Sequence, residues 1–239
     1  MFDGRAAIIG WTGLIGGNLL NQYKKKFNKI DLFNSKNINK ISKKDKYDVV
    51  FCAALPATKW LANKAPAKDK KNAQKLIKNL KKINTKKFLL ISTIDVNYKH
   101  AYGQNRKILE KFIKKNFKNY YILRLPGVFG KGLKKNILYD LLNNNEINKI
   151  YLNDKFQWYD LSYLFRDISK IFKNNQLGIN ELYSPPIKNK EIINFFKKIK
   201  INQKRLKPIN YLIRPKKIFF KNKKFILDRI KKFICSYEK

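Results

Sequence analysis

The chain has 239 residues, 44% apolar with 17 Phe, which suits one domain, or one large domain with a small appendage, and excludes a wholly disordered chain. Its formal net charge of +39 invites a nucleic-acid partner, yet only seven of the 55 basic residues are arginine, the residue best suited to bidentate phosphate and base contacts. The lysines are interleaved with Asn and Ile along the whole chain, as A/T-rich codons would supply, so no specific nucleic-acid function is expected. No run of about 18 apolar residues occurs, so no membrane span is expected. Cys52 and Cys235 make no disulfide framework, and no basic-then-apolar leader opens the chain; a reduced, cytoplasmic protein is the expectation.

In chain order, the apolar run Ala6-Ala7-Ile8-Ile9 meets Gly10, Gly13 and Gly16, spaced three apart, and a helix over about residues 16–26 follows. A strand–glycine–helix junction suits a pyrophosphate: one glycine makes the tight turn, one lets the backbone approach the ligand, and one packs helix on strand. Lys29–Phe33 reads as a second strand, with Asn34 and Ser35 where its end would meet an adenosine ribose. An NAD site usually offers an acidic side chain there; a neutral pair with Lys36 beside it favours NADP.

The run Asp48-Val49-Val50-Phe51-Cys52-Ala53-Ala54 reads as a strand buried on both faces, leading into Leu55-Pro56 and the pair Lys59-Trp60. Residues 67–83 and 104–117 carry apolar side chains at helical spacing. Residues 87–91 and Tyr120–Leu125 read as strands, and this alternation predicts a doubly wound α/β sheet. Beyond Pro126 the pattern predicts helices at 134–144, 161–172 and 191–199, strands at 150–152 and 181–183, and a terminal helix from about Phe225. The expected division is a dinucleotide-binding domain over residues 1–130 and a smaller substrate-binding region over 131–239 that caps the carboxyl edge of the sheet.

The glycine spacing, the Ser92-Thr93 strand end, the Tyr102-Gly103-Gln104-Asn105-Arg106 helix start and Arg124-Leu125-Pro126-Gly127 together resemble the extended short-chain dehydrogenase/reductase family. That family includes the epimerases and reductases of nucleotide-sugars, and the likeness spans roughly Arg5 to Tyr159. It implies a Rossmann-type fold and NAD or NADP held by Gly10, Trp11, Thr12, Gly13, Leu14, Ile15, Gly16, Asn34, Ser35, Ala53, Ala54, Leu55, Arg106 and Pro126. It also implies a catalytic set of Tyr102, Thr93 or Ser92, and a cation at position 106. A cation one helical turn from Tyr102 is expected to lower its phenol from the ordinary value near 10 toward the operating pH. Arg106 stands where the family has Lys, and Thr93 and Tyr102 are only nine residues apart, where the family has a longer loop.

Substrate contacts are expected from Lys59, from Lys131, Lys134, Lys135 and Asn136 at a helix start, and from Gln157 and Trp158. The lysines and free N–H groups would suit a nucleotide-sugar diphosphate. Thr93-Ile94-Asp95 lacks both the Thr-Asp-Glu of the family's dehydratases and the Cys of its epimerase-reductases, which leaves ketoreduction or 4-epimerisation, a step of surface polysaccharide synthesis. His100 is the only histidine, so no metal centre is expected. A non-catalytic relative acting as a sensor or scaffold, and a basic nucleic-acid binder, are the alternative functions. A homodimer through the helices at 73–83 and 104–117 is expected by the same resemblance.

Overall fold

A computed structural model describes residues 4–196, 198–214 and 220–237. In chain order it contains β1 (Arg5–Ile9), α1 (Leu14–Tyr23), β2 (Lys29–Phe33), β3 (Lys46–Cys52), α2 (Lys59–Lys64) and α3 (Pro66–Leu80). Next come β4 (Asn84–Thr93), α4 (Ala101–Asn116), β5 (Tyr120–Leu125), β6 (Gly127–Phe129), α5 (Ile137–Leu142), β7 (Lys155–Phe156) and β8 (Trp158–Asp160). The chain continues with α6 (Leu164–Lys173), β9 (Gly178–Glu181), β10 (Ile187–Lys188), α7 (Asn189–Ile193) and α8 (Lys223–Tyr237). Among the described residues no helix is long and apolar enough to cross a membrane.

The residues gather into two units: Met1–Arg124 with Tyr163–Asn180, and Leu125–Ser162 with Glu181–Lys239. The first unit is built on a six-stranded sheet in the order β2-β1-β3-β4-β5-β9, to whose far edge β9 adds as the unit ends. β1 pairs in parallel with both β2 and β3, and β3 in parallel with β4. Chain order therefore reverses between β1 and β3, which opens a crevice at their carboxyl ends, where doubly wound sheets take ligands.

Strands buried on both faces demand apolar cover on each. On one face α3 and α4 bury Leu76, Leu80, Leu109 and Ile113 against Val50, Phe88 and Leu90. On the other, α1 and α6 supply an aromatic core. Tyr23 packs 4.7 Å from Phe51 and 5.1 Å from Phe165, centroid to centroid, and Tyr121 packs 4.7 Å from Phe172. Such tilted and edge-on contacts are the favoured geometries of ring pairs.

In the second unit β6 pairs in parallel with β8, and β7 antiparallel with β10. α8 buries Ile226, Ile230 and Ile234, and Arg229 bonds Asp160 of β8 at 2.7 Å. Several expected elements move. Residues 150–152 form no strand: they follow a 3-10 turn at Ile147–Lys149, lead into a turn at 152–153, and bury only Ile150. The predicted strand at 181–183 is displaced to β9. The helix expected over 134–144 begins only at Ile137, since Asn136, at φ 118, caps it. The helix over 191–199 shortens to α7, whose start is fixed by Glu191 accepting the Lys188 N–H at 3.0 Å.

Candidate functional site

The three glycines answer different demands. Gly10 leaves β1 at φ +87, and a Cβ there would lie 2.7 Å from the Ala53 carbonyl oxygen. A Cβ on Gly16 would stand 2.1 Å from the Gly10 carbonyl oxygen. Packing therefore requires glycine at both. Gly13, at φ −81 and ψ 167, would bring its Cβ only within 3.4 Å of Gly10, an ordinary contact. The fold does not need its glycine; the missing side chain clears space in front of α1 instead. Gly13 is the N-cap of α1 and gives no side chain to the leading N–H groups, which have no intrahelical acceptor either. Free N–H groups at the positive end of a helix, with no side chain in the way, fit an anion such as a diphosphate.

In front of this corner lies a cavity of about 410 Å³, lined at its floor by Ile9, Gly10, Thr12 and Gly13. Asn34 and Ser35 form one wall and Ala53, Ala54, Leu55 and Pro56 another. Trp11, Leu14, Ile15 and Gly16 support the corner without lining the cavity. The Asn34 N–H donates to Asn37 Oδ1 at 2.7 Å and its Oδ1 accepts the Lys36 N–H at 2.8 Å, a turn that closes β2 without a carboxylate. The one acidic side chain of β2, Asp31, is held by Arg5 and Tyr47. A third wall, Asn72, Lys75, Leu76 and Asn79 of α3, was not expected from the sequence. Their i, i+3, i+4, i+7 spacing was the available signal, but the polar members read as solvent-facing.

At the rim, Leu55 adopts φ 92, a backbone state costly for a side chain other than glycine's and characteristic of functional turns. The next carbonyl, Pro56, accepts a hydrogen bond from Arg106 Nη2 at 2.5 Å. Arg106 is only 6% exposed; its Nη1 bonds Asp69 and the Tyr102 carbonyl oxygen, and its guanidinium lies 3.8 Å from the centre of the Tyr102 ring. Asn105 also donates to Asp69, at 2.8 Å. Arg106 is thus held by protein partners on each side.

The short link between Thr93 and Tyr102 is a 3-10 turn, Ile94–Asn97, with Thr93 as its cap. Thr93 Oγ1 accepts the Asp95 N–H at 3.2 Å and donates to Asp95 Oδ2 at 3.1 Å. A Cβ on Gly103 would stand 1.9 Å from the Asp95 carbonyl oxygen, so α4 presses directly on this turn. Burial pushes the Tyr102 phenol up; Arg106 opposes this, while Asp95 and Asp69 add to it. The net lowering expected from Arg106 is therefore not found. Desolvation is larger, and Arg106 shares its charge with Asp69.

Other expected residues are placed differently. Ser92 points to the opposite face of β4 and donates to Glu110 at 2.6 Å, which in turn pairs with Arg124 at 2.6 Å. The Thr93 hydroxyl bonds Asp95 instead. Lys59 is drawn onto Asp95 at 2.6 Å, and its neighbour Trp60 is 67% exposed. In the second unit, Gln157 is 1% exposed and its amide is consumed by Ser184 and Ile213, so it has nothing to offer a ligand. Trp158 is buried between Phe129 and Phe156. Asn136 spends its side chain on Leu138, Tyr139 and Val128. Lys131, Lys134 and Lys135 are exposed ahead of α5 rather than in its first turn, and Pro126 links β5 to β6.

Fold and crevice define a doubly wound, Rossmann-type α/β protein. No protein-family profile matches the chain, and no curated protein matches it by sequence. Solved structures do. A dTDP-4-dehydrorhamnose reductase from Clostridium acetobutylicum superposes with a TM-score of 0.74 at 17% identity, over 98% of this chain and 100% of that one. A UDP-N-acetylglucosamine 4-epimerase from Methanobrevibacter ruminantium, in complex with UDP-N-acetylmuramic acid, gives 0.71 at 17% identity, over 100% and 99%. A dTDP-4-dehydrorhamnose reductase from Bacillus anthracis, in complex with NADP, gives 0.73 at 15% identity, over 99% of each chain. At these identities the likeness establishes the shared fold.

Proposed function

We propose that the chain is an NAD(P)-dependent oxidoreductase or 4-epimerase acting on a nucleotide-activated sugar, in the setting of surface polysaccharide synthesis. The observation that carries this reading is Gly13, a glycine the fold does not require, facing a crevice whose rim at Pro56 anchors Arg106 and Tyr102. A dinucleotide fits this donor set, with its pyrophosphate on the leading N–H groups of α1 and its ribose beside Asn34 and Ser35. With no carboxylate at the ribose wall and with Lys36 and Lys75 near it, NADP is favoured over NAD. The sugar-nucleotide class is taken from the names of the matched structures.

When bound, the nicotinamide would supply or accept a hydride. The protein's own part is the proton. Tyr102 gives its phenolic proton to the sugar oxygen in reduction and takes it back in oxidation. Because its phenol lies above the ordinary value, it stays protonated at neutral pH, the form reduction uses. Thr93 would turn its one hydroxyl hydrogen from Asp95 Oδ2 to the same oxygen, and Arg106, stacked on the ring, favours the phenolate as it develops.

Replacing Tyr102 by Phe is the test, against a panel of dTDP- and UDP-activated keto sugars with NADPH consumption as the readout. Turnover should fall by about 10²–10⁴-fold with NADPH affinity unchanged, the range for loss of a general acid. A second reading, a non-catalytic cofactor binder, draws on Arg106 being held by Asp69 and Pro56 and on the upward push on Tyr102. Unchanged turnover in Tyr102→Phe would remove the tyrosine from the mechanism and favour that reading.

A further inference from the structure

Asp95 lies at the centre of a charged cluster. It is 9% exposed; its Oδ1 accepts from Lys59 Nζ at 2.6 Å and faces His100 Nε2 at 3.1 Å, while its Oδ2 accepts from Thr93. His100 is the N-cap of α4, and its Nδ1 accepts the Gly103 N–H at 3.1 Å. Nδ1 therefore carries no proton, and Nε2 bears the hydrogen that points at Asp95. His100 and Lys59 approach the same carboxylate oxygen from two different elements, while the other oxygen fixes the rotation of the Thr93 hydroxyl. Gly103, pressed on the Asp95 carbonyl, fixes Tyr102 at the same place, and the Asp95 charge acts on its phenol.

The geometry points to Asp95 and Lys59 as a positioning pair: Asp95 holds the Thr93 hydroxyl, and Lys59 balances the Asp95 charge so that Tyr102 can exchange its proton. This rests on the reading of Tyr102 as the acid/base. The cation that the sequence pattern places on α4 is largely engaged by Asp69, so balance at the strand end comes from α2 instead. The groups bearing on Tyr102 are Arg106 on its own helix, His100 at the helix cap, Asp69 from α3, Asp95 from the 3-10 turn and, through Asp95, Lys59 from α2. Removing Asp95 takes away a negative charge that holds the proton on Tyr102. Removing Lys59 exposes that charge. The two changes must act in opposite directions.

The test is a pH titration of protein carrying 13C-labelled tyrosine, followed by NMR, with the Tyr102 signal assigned by its absence from Tyr102→Phe. Asp95→Asn should move the Tyr102 midpoint down, Lys59→Gln should move it up, and Lys59→Arg should restore the starting value. Shifts of the same sign, or no shift in either variant, would overturn the pairing. If Asp95→Asn fails to fold, the Lys59→Gln and Lys59→Arg pair decides alone, because Lys59 is partly exposed. NADPH binding is measured separately on each variant. Its absence in the unmodified protein would defeat the proposed function while leaving the titration to judge the pair.

Discussion

At the scale of single residues, the glycine corner separates what the fold needs from what a ligand needs. Gly16→Ala drives a Cβ into the Gly10 carbonyl, and Gly10→Ala adds positive-φ strain to a clash with Ala53. Each should cost about 1–3 kcal/mol in urea unfolding. Gly13→Ala meets no such contact and should change stability by less than about 0.5 kcal/mol. The same substitution should weaken NADPH binding in a fluorescence titration, because its methyl fills the cradle. Strong destabilisation by Gly13→Ala, with binding retained, would contradict the assignment. Ser92 and Thr93 differ in the same way. Ser92 belongs to the network of buried Glu110 and part-buried Arg124, so Glu110→Ala, which removes a buried carboxylate bonded to both, should cost about 2–4 kcal/mol. Ser92→Ala should cost about 1 kcal/mol by the same unfolding measurement and leave turnover within a few-fold.

At the scale of elements, the strands of the first unit were readable because each is an apolar run closed by turn residues. Lys29–Phe33 and Tyr120–Leu125 appear with the expected bounds, and β1, β3 and β4 shift by only a few residues. The second unit was less readable. Its strands are two or three residues long, too short for a period-2 pattern to stand out, and α5 and α7 are set by side-chain caps rather than by amphipathic repeats. At the site, sequence spacing put Tyr102 and Arg106 one helical turn apart but could not show that Asp69, far along the chain on α3, holds Arg106. Nor could it show that Lys59 turns to Asp95. Long-range ion pairs leave no local periodicity. Burial inside β3 has a chemical consequence too, since it pushes the Cys52 thiol up to about 12. The thiolate is the reactive form, so at pH 8 Cys52 is almost wholly protonated and inert. Exposed Cys235 should react with a disulfide reagent in the native protein, and Cys52 only after denaturation; two native thiols reacting together would contradict this.

At the scale of the whole molecule, the net charge of +39 governs encounters. The outer faces of α3 and α4 carry Lys68, Lys71, Lys107, Lys111 and Lys114, all exposed. A homodimer through these helices would bring like charges together, so salt must relieve it. Sedimentation should show self-association strengthening from about 50 to 500 mM salt, as the Debye length shrinks below about 10 Å. Association that weakens with salt would point to another interface. Any contact with nucleic acid should run the opposite way, falling steeply with salt and indifferent to sequence, as expected of dispersed lysines.

The central claim is that a dinucleotide rests against the amino end of α1. Calorimetric titration of the unmodified protein with NADPH and NADH tests it most directly. Saturable one-to-one binding, tighter for NADPH and weakened by Gly13→Ala, is the predicted result. No heat of binding from either nucleotide at millimolar concentration, with the protein folded, would contradict it.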